Sequence, residues 1–165
     1  MNKKTIIIIS WSLVILWMAA IFWLSSMNSS LSTHRSMKTI NKVIESTVET
    51  TNKIGITDKH PSEEKKQEVT EKLNYPLRKC MHMGEYLVLC LLLINAFYQS
   101  GVRDRKLIIF SILVCFLYAC TDEVHQLFVG RAGQFSDVII DTTGSIIGSC
   151  FYCIGCLIYK KSKKG

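Results

Sequence analysis

Proline and glycine are scarce in this chain, two and nine residues respectively among 165. With so few breakers the apolar residues run in long blocks rather than in amphipathic stripes, which separates a membrane protein from a soluble core. Charge is missing altogether between Thr5 and Leu24. At 1.5 Å per residue such a stretch spans about 30 Å, the thickness of a bilayer's hydrocarbon layer. A cleavage site is missing too. Lys3 and Lys4 would serve as the basic start of a signal peptide, but the apolar run is too long for its core and ends on Phe22, Trp23 and Leu24 without small residues. The expectation is a retained helix with Trp23 at the interface.

Acidic residues are few, 13 against 20 Lys and Arg, for a net charge of +7. The basic residues mostly flank apolar segments. They read as topology determinants and contacts to anionic lipid, and no nucleic acid is expected as a partner. Ligand motifs are also lacking. Of the seven cysteines, Cys90, Cys115, Cys150, Cys153 and Cys156 lie inside apolar runs and read as small hydrophobes packed in the bundle. Cys150-x-x-Cys153-x-x-Cys156 has no second ligand pair nearby, and no HExxH-type spacing occurs, so neither a metal nor a cofactor is expected.

What is present organises into an all-α, polytopic membrane helix bundle of about four transmembrane helices. Their expected ranges are 5–24, 79–99, 107–127 and 138–159, within a single membrane domain over 1–165. A polar insertion fills 25–75, opening with Ser25 and Ser26. Ile40, Val43, Ile44, Thr47 and Val48 repeat at helical spacing within it, predicting a weak amphipathic helix over 37–54 stopped by Gly55. Pro61 and the pair Glu63–Glu64 open a second polar helix to about Leu73, and Pro76 marks a fresh start for the second membrane helix. In a four-span topology the N-terminus, the basic turn at 101–106 and the tail from Lys160 share one side. The positive-inside rule makes that side cytoplasmic, leaving the insertion extracytoplasmic. The expected location is a cell membrane, crossed several times, with both termini in the cytoplasm.

Helix length then forces polar residues inward. Leu107 to Cys120 is 14 residues, about 21 Å, and falls roughly 9 Å short of a span. The helix must continue through Asp122, Glu123, His125 and Gln126. Leu87 to Tyr98 falls short at its other end and must extend back to Lys79, taking in His82 and Glu85. A short turn joins these helices antiparallel, so both deficits fall on the same side of the membrane. Asp137 stands at the entrance of the fourth helix there, with Asp141 one turn deeper. Lys79, His82, Glu85 and Tyr86 share a helix face, and Asp137, Asp141, Gly144 and Gly148 lie on one stripe. The glycines form a small-xxx-small pair suited to close helix approach, pressing both aspartates against their neighbours. Ionisable residues at such depth mark a functional site by default.

In order and spacing, Arg78-Lys79-x-x-His82-x-x-Glu85-Tyr86, then Asp122-Glu123-x-x-Gln126-x-Phe128-x-Gly130-Arg131, then Asp137 and Gly144-x-x-x-Gly148, resemble the VanZ-like family. The resemblance covers the chain except for about 38–74. It departs at Asp141, where the family pattern commonly has Asn, and in the length of the insertion. It implies a small integral membrane protein of bacterial envelopes, named for a contribution to teicoplanin resistance, with no established reaction. His82, Glu85, Asp122 and Glu123 are candidates for acid/base chemistry, and equally for a buried network that sets helix register. Arg78, Lys79 and Arg131, with Gln126, Asp137 and Asp141, are candidates for binding a phosphate or headgroup, and equally for ion pairing at the helix ends. His125 falls where the motif is open, and Tyr86 and Phe128 suit packing as well as a substrate platform. Three function classes stay open. One is a binding protein acting on membrane lipids or a lipid-linked cell-wall precursor, another an enzyme on such a lipid, and the third a translocator. Missing inverted repeats and broken helices weigh against the last.

Overall fold

The computed structural model describes residues 2–26, 63–128 and 135–163, with isolated positions between 37 and 50. Four long helices stand out among the described residues. They are α1 (Lys3–Ser26), α2 (Glu63–Gln99), α3 (Asp104–Phe128) and α4 (Phe135–Ser162). Each contains a stretch long and apolar enough to cross a membrane, and the chain is a multi-pass helical membrane protein. It divides into two compact units, Met1–Ser26 with Met81–Gly165, and Met27–Cys80.

The second unit departs from expectation at one point. A break and restart at Pro76 does not occur, and α2 runs unbroken from Glu63 with Pro76 inside it. A proline in a helix interior removes one backbone hydrogen bond, the one to the carbonyl four residues back. That carbonyl belongs to Lys72, whose side chain is 73% exposed on the charged stretch, so water can replace the lost donor. Lys72 also pairs with Glu68 at 2.6 Å, one turn earlier. The described positions of the expected 37–54 helix, among them Met37, Lys38, Ile40 and 45–47, are helical. Gly55 and Pro61 lie outside the described residues.

The first unit is a bundle whose core combines large apolar residues such as Ile21, Tyr86, Leu89 and Leu93 with small and polar ones, while other large apolar residues face out. The buried stripe of α3 is Leu107, Ser111, Cys115, Ala119, Asp122, Glu123 and Gln126, and that of α4 is Val138, Asp141, Gly144, Ser145, Gly148 and Ser149. Leu16, Trp23, Leu117, Phe128 and Leu157 all face outward. Lipid is as apolar as leucine, so there is no gain in hiding large side chains. Helices associate instead through close packing and interhelical hydrogen bonds. Trp11 Nε1 donates to Ser100 Oγ at 3.0 Å and Asn95 Nδ2 to Ser10 Oγ at 3.1 Å, which sets the start of α1 level with the end of α2. Halfway along, Trp17 Nε1 donates to the Glu85 carbonyl at 2.9 Å, and Tyr118 Oη to the Met18 carbonyl at 2.6 Å.

The turn between α2 and α3 is closed locally. Gly101 takes φ +98°, and Val102 N–H reaches the Phe97 carbonyl at 3.0 Å while Gly101 N–H reaches Tyr98 at 3.1 Å. These are the two bonds of a Schellman cap. Arg103 stacks on the Tyr98 ring at 3.9 Å and donates to the Val102 carbonyl at 2.9 Å. At the other end of the chain, α4 runs on through Lys160 and Lys161 rather than stopping at Tyr159. Cations in a last turn complement the helix dipole.

The cysteine expectation divides. Cys90 and Cys115 are buried, and Cys90 Sγ lies 3.3 Å from Ser149 Oγ. Cys150 and Cys153 are exposed and Cys156 is half-exposed, so this triplet lies outside the core. The α4 stripe that meets α2 is occupied by glycine and serine, and Cys150 and Cys153 fall away from it. Gly144 and Gly148 make the closest approach. A Cβ built on Gly144 would run into the Met83 carbonyl, and one on Gly148 would stand 2.8 Å from the Leu87 carbonyl oxygen. Both obstacles are backbone and cannot swing aside. Gly144→Ala is therefore expected to destabilise the bundle by about 1–3 kcal/mol, read as a lower melting temperature in detergent. Gly155→Ala, with nothing within 4 Å of its added methyl, is expected to leave melting unchanged.

Candidate functional site

All four helices converge on one end of the first unit, opposite the turn at 101–106. From α2 come His82, Glu85 and Tyr86. From α3 come Asp122, Glu123, His125 and Gln126. Asp141 comes from α4, and α1 supplies Ser25 and Phe22. The helical continuation that span length demanded is what places the α3 group there: α3 runs on past Cys120 to Phe128, and Asp122, Glu123 and Gln126 turn inward at 2%, 7% and 3% exposure. Asp141 reaches the same depth at 2% because Gly144 and Gly148, on its stripe, bring α4 down onto the α2 backbone.

The cluster has an open part and a closed part. His82 Nδ1 lies 3.4 Å from Glu85 Oε2, one turn apart, and their side chains are 17% and 16% exposed. Behind them Asp122 and Asp141 are closed off. His82 is within electrostatic reach of Glu85, Asp141 and Asp122, and Asp141 of His82, Asp122, Glu123 and Asp137. Gln126 Nε2 donates to Asp122 Oδ2 at 3.1 Å, and the Ser25 hydroxyl neighbours the same carboxylate. His125 stacks on Phe22 with ring centroids 4.0 Å apart. Tyr86 is fully buried, its ring 6.2 Å from that of Tyr118, in reach of both Asp141 and Asp122.

Several buried atoms here lack a hydrogen-bond partner among the described residues, namely Tyr86 Oη, Asp141 Oδ1, His125 Nδ1 and Glu85 Oε2. A buried polar atom without a partner costs roughly 1–3 kcal/mol, and native interiors hold few of them. They are concentrated at one end of the bundle. Chemically the group can accept protons and hydrogen bonds. Among the described residues no set of three His, Cys, Asp or Glu is arranged to hold a metal ion.

The remaining candidates from the sequence are placed as follows. Asp137 is half-exposed at the start of α4 and accepts from Ser136 Oγ at 3.3 Å. Arg78 is half-buried and Lys79 buried, and both belong to the second unit, Met27–Cys80. Arg131 lies outside the described residues. Phe128 is 84% exposed at the end of α3. Sequence reasoning passed over Ser25, seeing only the start of a Ser-rich run, and gave Tyr86 no hydrogen-bonding role. A buried tyrosine one residue from Glu85 was the available signal. An open hollow of about 610 Å³ lies at the opposite end of the bundle, around Arg103, Arg105, Lys106 and Phe110. It contains none of the clustered acids.

Gln126 is the donor that keeps Asp122 satisfied. Gln126→Ala is expected to lower stability by about 1–3 kcal/mol, measured by thermal unfolding in detergent. In an Asp122→Asn background the same change is expected to matter less, because the neutral amide is cheaper to leave with a bond unmade.

No curated protein and no solved structure matches the chain. A family model does, and it covers the span from the first helix through the last. Matched by the VanZ/LLP1 model over residues 10–158, the chain belongs to the VanZ/LLP1 family.

Proposed function

We propose that the intramembrane cluster is a binding site for the polar part of an envelope lipid or a lipid-linked cell-wall precursor. Through it the protein lowers susceptibility to glycopeptides of the teicoplanin type. The observation that carries this reading is the group of unpartnered buried atoms, Tyr86 Oη and Asp141 Oδ1 foremost. They sit behind a half-open His82–Glu85 pair in a region where unpaired polar groups are expensive. The glycopeptide part follows from the family alone. The phosphate part, on Arg78, Lys79 and Arg131, is carried by sequence pattern alone.

Orientation belongs to the same proposal. The N-terminus, the 101–106 turn and the tail are basic and sit on the cytoplasmic side, which makes the cluster extracytoplasmic. Alkaline phosphatase fused after Gly165 should then be inactive, and fused after Ser26 active; the reverse pattern would invert the topology.

A second reading has its own observation. His82 Nδ1 and Glu85 Oε2 at 3.4 Å form a partly accessible acid/base pair beside two buried aspartates, the arrangement a membrane enzyme would need for proton transfer on a lipid substrate. Lipid turnover in membranes with and without the protein separates this from binding alone.

His82→Gln, Asp122→Asn and Glu123→Gln, made singly, should retain wild-type levels in the membrane while teicoplanin susceptibility rises to that of cells without the protein. Unchanged susceptibility at full expression would sink the link to that phenotype. Loss of the protein from the membrane would instead assign the cluster to folding.

A further inference from the structure

We propose that the group received by the cluster is a primary ammonium, carried on an envelope amphiphile and taken up by the carboxylates of Glu85, Asp122 and Asp141 beside Tyr86. This rests on reading the cluster as a site and goes further by naming the ligand's chemistry.

The argument is one of donors and acceptors. Three helices bring carboxylates to one place, and several of their oxygens receive no hydrogen bond from the described residues. Asp141 Oδ1 has no hydrogen-bond partner among those residues. Asp122 receives the Gln126 amide on Oδ2 and has the Ser25 hydroxyl as a neighbour, while its Oδ1 has no hydrogen-bond partner among the described residues. Glu85 has the His82 ring at 3.4 Å, outside good hydrogen-bond geometry. Glu123 and Asp137 are engaged in other interactions. Tyr86, with no exposed surface, brings to the same place a hydroxyl with no hydrogen-bond partner among the described residues, whose oxygen can accept from an entering group while its hydrogen turns to a carboxylate. What enters must therefore bring hydrogens and preferably positive charge.

A phosphate brings neither and would meet carboxylates of its own sign. A sugar hydroxyl brings one donor and no charge. A trimethylated amine brings charge without a donor. A primary ammonium brings three donors, a positive charge and no acceptor, so it can serve several helices at once. The rings of Tyr86 and Tyr118, 6.2 Å apart, add aromatic surface of the kind that attracts cations at low dielectric. Phospholipid headgroups and the amines of wall-precursor peptides both present this chemistry.

The test uses the purified full chain in detergent and native mass spectrometry of retained amphiphiles. The probes are dioleoyl phosphatidylethanolamine, phosphatidylcholine and phosphatidylglycerol, with palmitoyl-lysine amide as an ammonium without phosphate. The two primary ammonium probes are expected to be retained at least about tenfold more tightly than phosphatidylcholine. Asp141→Asn should abolish that preference. Glu85→Gln, which keeps the size of the side chain and removes its charge at the more accessible edge of the cluster, should weaken it. Preference for phosphatidylethanolamine alone would identify a phospholipid headgroup, and for palmitoyl-lysine amide alone a peptide amine; either supports the proposal. If phosphatidylglycerol or phosphatidylcholine binds as tightly and Asp141→Asn still weakens retention, the site stands and the ammonium assignment is overturned. If no probe responds to Asp141→Asn or Glu85→Gln, both fall.

Discussion

A hydrocarbon layer about 30 Å thick cannot be crossed by the 14 apolar residues from Leu107 to Cys120. The rest of the molecule is organised around that shortfall. The missing turns of α3 are supplied by Thr121–Phe128, so Asp122, Glu123, His125 and Gln126 enter the membrane region as part of the helix rather than as decoration on a loop. α2 meets the same constraint from the other direction with His82 and Glu85. Because the tight turn at Gly101 returns the chain antiparallel, the two polar ends coincide.

Carboxylates at that depth require neighbours, and the bundle provides them through its small residues. Glycine, serine, cysteine and alanine along α3 and α4 let backbones approach within the reach of short side chains. Gly144 and Gly148 lie against the Met83 and Leu87 carbonyls with no room for a methyl group. The same contact sets the depth of Asp141, one turn from Gly144. Packing and site are thus one feature. A change that loosens the glycine contact also moves the carboxylate, whereas changes on the outer cysteine face of α4 touch neither.

The acidic residues at the polar end are of two kinds. Glu85 stays partly accessible with His82 beside it, while Asp122 and Asp141 are shut behind them. A network that only pins helix register is served by full pairing; here oxygens of Asp141 and Tyr86 remain without hydrogen-bond partners among the described residues, the observation on which the proposed site rests.

Much of this was legible in the residues alone. Charge-free length located the helices, the shortfall of Leu107–Cys120 located the polar end, and the four-residue spacing of Gly144 and Gly148 pointed to a close contact. These are properties of a single helix against a bilayer of known thickness, so they need no partner to be read. Where partners mattered, pattern was insufficient. Pro76 reads as a helix start but is carried inside α2, because the exposed stretch around Lys72 tolerates one lost backbone bond. Cys150 and Cys153 read as core residues but face outward, since hydrophobicity does not distinguish lipid from interior. By itself, then, the sequence determined how many helices cross, which residues are drawn into the membrane and at which end. The tertiary structure alone decided which of them meet: His82 with Glu85, Gln126 on Asp122, Gly144 on Met83, and an Asp141 oxygen and the Tyr86 hydroxyl left at the cluster without a hydrogen-bond partner among the described residues. Such contacts depend on the rotation of each helix about its axis, and that is set only when all four pack together.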